Sequence, residues 1–131
     1  MMFGARHLDP EEEAALSASN IERVSADLLR TDMHEIFARR RIDMRDVYLH
    51  IDLDVLDPSE GRANNFAAPN GLRSRELHDV VNEIGGAFLI RAAAITAFDP
   101  THDSDGRMCE TAIGLVAAVI KVASQSAGTA S

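Results

Sequence analysis

Two long apolar runs, residues 47–55 and 88–98, dominate the pattern of hydrophobic and polar positions. In the first, Leu49, Ile51, Leu53 and Val55 fill alternate positions, the period of an extended chain. Both runs finish close to an acid followed by proline, Asp57-Pro58 and Asp99-Pro100. Between them, residues 75–85 place Leu77, Val80, Val81 and Ile84 on one helical face, and Gly85-Gly86 is a stop signal. Strand, helix, strand predicts a βαβ unit with both carboxyl ends at one rim. The fold class expected is α/β, a parallel sheet with helices on both faces.

The flanking segments are read in the same way. Phe3 could end a strand, and Asp9-Pro10 followed by Glu11, Glu12 and Glu13 is a capped helix start with acids at the positive end of the dipole. Residues 20–26 are compatible with a short strand. From about Asp32, the positions Met33, Ile36, Phe37 and Ile42 have helical spacing, and Arg39-Arg40-Arg41 reads as its solvated end. Residues 59–69 form a polar loop over the end of the first run, a candidate lid or wall for a substrate. Residues 110–122 are apolar on most sides and should pack on the sheet as a helix. One domain over residues 1–123 and a flexible tail over 124–131 complete the organisation.

The candidate chemistry lies at the end of the first run. Asp52 and Asp54 are two apart, so on an extended chain their side chains share a face and can reach one ion or two neighbouring ions. Two acceptor-only carboxylates suit magnesium, manganese or calcium rather than a thiolate-seeking metal. The alternative is a solvated strand end or a helix cap; Leu49, Ile51, Leu53 and Val55 at the alternate positions set the acids within an otherwise apolar strand and favour the cation, because unpaired buried carboxylates are costly. Asp57, held out of helical geometry by Pro58, is expected to brace the turn. The loop 101–107 offers further acids but is also an ordinary turn.

Composition narrows the function classes. A chain of 131 residues with formal net charge −8 has nothing to offset phosphate repulsion, so nucleic acid is not an expected partner. No apolar run looks long enough for a membrane span, and the start lacks the form of a signal peptide, so a cytoplasmic setting is expected. A single cysteine, Cys109, allows neither an internal disulfide nor a thiolate zinc site, and is read as packing at a helix start.

The order Asp52-Leu53-Asp54-Val55-Leu56-Asp57-Pro58, then Pro69-Asn70-Gly71-Leu72, then Arg75-Glu76, then Asp99-Pro100 and a helix opening Thr111-Ala112 resembles the carboxyl-terminal half of the ureohydrolases. This family comprises arginases, agmatinases and formiminoglutamases. Gly4-Ala5-Arg6 followed by Asp9-Pro10-Glu11 is similar to the family's Gly-x-Arg segment, so the resemblance covers residues 3–122. It implies an arginase-like three-layer αβα domain, present as about half. It also implies two manganese ions, with Asp52 bridging both and Asp54 binding one, and a metal-held hydroxide that attacks a C–N bond. Trimers or hexamers are the family's habit.

The resemblance also shows what this chain lacks. The family's Gly-Gly-Asp-His and Asp-x-His-x-Asp ligand segments occur nowhere in it, and none of its five histidines replaces them by spacing. A strand from the missing half lies between the strand at 47–52 and that at 2–6, which leaves a gap in the sheet. The family's guanidinium-pairing Glu is here Ala97; a methyl group cannot make that contact. Asp99 and Asp103 are the nearby acids that could stand in, and no catalytic residue is assigned. Three functions follow for test: a metal hydrolase of small amidine-like or amide-like substrates, completed by a second copy or a partner chain; a non-catalytic remnant or interaction module; and a phosphoryl-transfer magnesium site. The third has no Gly-rich phosphate loop to support it.

Overall fold

The structure is a computed structural model, which describes residues 1–40 and 45–128. Strand β1, Met2–Phe3, pairs in parallel with β2, Arg23–Val24, and β3, Arg45–Asp52, pairs in parallel with β4, Phe88–Thr96. Helix α1 is Pro10–Ser17, α2 is Ala26–Ala38, α3 is Ser74–Ala87 and α4 is Arg107–Gly128. Among the described residues the two ladders do not join. The β3–α3–β4 unit is the βαβ expected from the two apolar runs. Its register sets Asp52 opposite Thr96, so the two chains leave the sheet at the same rim.

Local signals account for the helix ends. Asp9 caps α1 through the Glu11 and Glu12 amides, while Glu12 accepts from the Asp9 amide. Helix α2 starts six residues before Asp32 because Ser25 accepts from the Leu28 amide and supplies the cap. Arg39 and Arg40 at its end pair with Glu35 and Glu22. Arg41 and Ile42 lie outside the described residues.

Helix α3 runs through Gly85-Gly86 to Ala87, where a stop was expected. Gly85 serves a close approach: a Cβ there would lie 2.4 Å from Cβ of Val122 on α4. Helix α4 begins at Arg107, because the Asp103 carboxylate accepts from the Met108 and Cys109 amides, and it continues through 124–128, where a tail was expected. Over Arg107–Gln125 it is long and apolar enough to cross a membrane by length and composition, contrary to the reading that ended it at 122. Here Met108, Leu115, Val119 and Val122 join Leu77, Val80, Val81 and Ile84 of α3 in the core. The opposite stripe, Ile113, Val116 and Ile120, is exposed.

Strand β3 is covered on one face only. Ile51 is buried and Val47 and Leu49 pack against the core, whereas Tyr48 and His50 face outward, Tyr48 with 61% exposure. Cys109 is exposed as well, so it does not serve as packing.

Candidate functional site

The site begins where β3 stops. Asp52 is its last residue, and its carboxylate Oδ1 accepts from the Asp54 backbone N–H at 3.2 Å, which caps a single 3₁₀ turn, Leu53–Val55. Leu53 and Leu56, both completely buried to within 1%, anchor that turn in the core. The acids therefore meet through a turn and not along an extended strand: Leu53 and Leu56, three apart, both point inward, a spacing that a 3₁₀ turn satisfies and a strand does not.

The electrostatics record the juxtaposition. Partial burial pushes the Asp54 carboxyl up to about 6, and the hydrogen bond and negative charge of Asp52 push the same way. The Arg6 guanidinium and the Asn64 amide oppose the shift without cancelling it.

Two side chains to which the sequence analysis gave no role frame the pair. Asn64, buried in the loop after β3, donates from Nδ2 to Ala97 O at 2.9 Å and accepts the Phe66 amide on Oδ1 at 2.7 Å. It ties this loop to the end of β4, leaving Phe66 82% exposed at the rim. Arg6 donates to five carbonyls, three of them in residues 54–56. Resemblance placed Arg6 in a Gly-x-Arg segment, but no local spacing could reveal contacts spanning about fifty residues.

The remaining acids of the sequence analysis are turn braces and caps. Asp57 accepts from Ser59 N and Oγ at 3.0 and 2.6 Å and from Gly71 N at 3.2 Å, contacts that hold its carboxyl down at about 2. Asp99 accepts from Thr101 N and Oγ1 and pairs with His102 Nδ1 at 3.0 Å. Asp103 caps α4. Ala97 closes β4 in a left-handed conformation, φ 66°, with only a methyl group to offer. His50 lies on the same side of β3 as Asp52 and bonds through Nε2 to Thr96 Oγ1 at 2.9 Å. Among the described residues, no three His, Cys, Asp or Glu side chains come together as a metal-binding group.

The donor set fits a hard divalent cation in kind. Asp52 and Asp54 are two oxygen-donor carboxylates, one of them raised by burial beside the other, a situation that a shared positive charge relieves. In number they fall short of the roughly six donors that such an ion takes.

Residues 1–121 match the model of the Arginase family. The arginase of Brucella melitensis biotype 1 is 29% identical over 126 residues, which cover 91% of this chain and 40% of that protein. Proclavaminate amidino hydrolase from Streptomyces clavuligerus superposes with a TM-score of 0.84 at 22% identity, over 96% of this chain and 44% of that one. Helicobacter pylori arginase does so with a TM-score of 0.81 at 22% identity, over 92% and 42%. The chain thus spans about 40% of the length of the curated relatives it matches, and its parallel ladders and flanking helices are a part of the arginase fold. With its first 121 residues matched, this chain belongs to the arginase family.

Proposed function

We propose that this chain carries the aspartate half of a binuclear manganese site in a hydrolase acting on a C–N bond of a small amidine-like or amide-like substrate. The observation that carries the reading is the pair Asp52 and Asp54, set side by side at the rim of a parallel ladder in a member of the arginase family. Asp52 and Asp54 hold the metal in this reading, and the remaining ligands come from a partner chain or from sequence beyond these residues. Bound manganese supplies Lewis-acid activation of water at neutral pH. The contribution of this chain is to fix the two carboxylates and, through the Asn64–Ala97 bond, to hold the loop beside them. Because Ala97 presents a methyl group, substrates without a full guanidinium charge suit the rim better than arginine or agmatine. In this reading the setting is cytoplasmic and, at a formal net charge of −8, nucleic acid is not a partner.

A second reading, a non-catalytic remnant or interaction module, is favoured by the absence of a third metal-ligating side chain beside the pair among the described residues. Assay of urea release from small guanidines, formamide release from formimino compounds and ammonia release from primary amides, in excess manganese, separates the two. Turnover abolished by Asp52→Asn supports the hydrolase. Manganese binding without turnover of any panel member supports the remnant.

A further inference from the structure

The turn that carries Asp54 is three residues long, and its own closing bond is Leu56 N–H to Leu53 O at 3.2 Å. A turn held by one such bond is weakly determined from within. Beyond the Asp52 cap, the buried Leu53 and Leu56 side chains and the Leu72 N–H to Val55 O bond, its carbonyls are held from the other end of the sequence. Arg6 Nη2 donates to Asp54 O at 2.7 Å and, more distantly, to Leu56 O at 3.5 Å, and Nη1 donates to Val55 O at 2.9 Å. The same guanidinium reaches Gly4 O at 3.0 Å and Ala68 O at 2.9 Å, joining the β1 end, the turn and the loop that follows it. Its Nε is buried with no acceptor among the described residues.

We propose that Arg6 is a positioning residue for the metal site, holding the Leu53–Val55 turn by its carbonyls so that the Asp54 carboxylate stays beside Asp52. The inference rests on the reading of that pair as cation ligands.

The direction of the donors is the main support. None of them goes to the Asp54 carboxylate; all five contacts are to backbone oxygens. A cation beside an acid ordinarily pairs with it, and here that would occupy the oxygens a metal needs. By gripping Asp54 through its backbone, Arg6 fixes the residue and leaves its carboxylate available. The planar fork is required, because carbonyls on three segments are bridged at once, which a compact ammonium cannot do.

Two measurements on the full chain test this: amide hydrogen exchange without metal, and manganese affinity from the signal of the free ion in electron paramagnetic resonance. In Arg6→Met, the Leu56 and Leu72 amides, which bond to Leu53 O and Val55 O, exchange about tenfold faster relative to α3 amides. Manganese affinity falls about tenfold or more. Val81→Ala, a core truncation on α3 that removes none of the turn's hydrogen bonds, serves as control; it speeds exchange generally and leaves the affinity within about twofold. Should Arg6→Met fail to fold, Arg6→Lys keeps the charge and is expected to lose affinity and turn protection as well; a lysine variant matching the wild type overturns the proposal. So does an Arg6→Met variant with unchanged turn exchange, or with unchanged affinity where the wild type binds. If the wild-type chain binds no manganese, the cation reading falls, and exchange at Leu56 and Leu72 alone decides the role of Arg6.

Discussion

The backbone N–H of Asp54 donates to the carboxylate of Asp52 at 3.2 Å, so one acid caps the turn that delivers the other. This arrangement brings two negative groups together through a hydrogen bond that does not neutralise either. Its consequences can be measured in stability as well as in metal binding.

The first consequence is a pH dependence. The Asp54 carboxyl is raised from its ordinary 3.8 to about 6, so the folded chain holds its proton more tightly than the unfolded chain. The associated stability is fully present below about 3.8 and is lost as pH rises through about 6. Asp57 works in the opposite sense: its carboxyl is lowered to about 2, so its contribution is present above 3.8 and is lost as pH falls towards 2. Thermal melts of Asp54→Asn without metal should therefore lose the decline between pH 4 and pH 7 that the wild type shows. Melts of Asp57→Asn should lose part of the decline in acid. A wild-type pH profile unchanged by Asp54→Asn contradicts the first assignment.

The packing of α3 on α4 predicts a severe effect from a small change. Gly85→Ala places a methyl group 2.4 Å from Cβ of Val122, and such overpacking costs about 1–3 kcal/mol. Val122→Gly, which removes that Cβ, should cost less in the Gly85→Ala background than in the wild type, measured by denaturant titration. Full additivity of the two substitutions would show that the contact is not shared.

The loop contact predicts a local effect. Asn64→Ala removes the bond to Ala97 O and leaves that carbonyl and the Phe66 amide without their partners, at a cost of about 1–3 kcal/mol. Amide exchange should rise at Phe66 and at Asp99, whose amide bonds to Ala63 O in the same loop. Protection at both sites unchanged from wild type would contradict the role given to Asn64.

The exposed stripe of α4 predicts an effect on association. Ile113 and Ile120 are 64% and 61% exposed on one side of the helix. Ile113→Glu with Ile120→Glu should lower self-association in sedimentation velocity while leaving the melting temperature within about 2 °C, since neither side chain is in the core. A marked drop in melting temperature would mean that the stripe is buried within one chain.

Much of this architecture was legible in the residues. Alternating apolar positions gave β3, and the two Asp-Pro ends located the shared rim where Asp52 meets Thr96. Asp9, Asp57 and Asp99 sit where acid-proline chemistry puts them, because each carboxylate accepts from the amide two residues on. What stayed hidden depends on contacts distant in sequence. Gly85-Gly86 looks like a helix stop until Val122 is seen packed against it. The extended geometry expected for Asp54 failed because Leu53 and Leu56 need to be inside, a demand of the core and not of the local run. Arg6 has no local signature, since every acceptor of its guanidinium apart from Gly4 O belongs to another part of the chain, and the local Asn64–Phe66 contact does not reveal the bond from Asn64 to Ala97 O.

Calorimetric titration of manganese into the purified chain, with Asp52→Ala alongside, tests the central claim most directly. The account predicts saturable binding of about one ion per chain, lost in Asp52→Ala, because the pair supplies the carboxylate donors that a hard cation takes first. Heats that are the same for the two proteins, or absent from both, would contradict it.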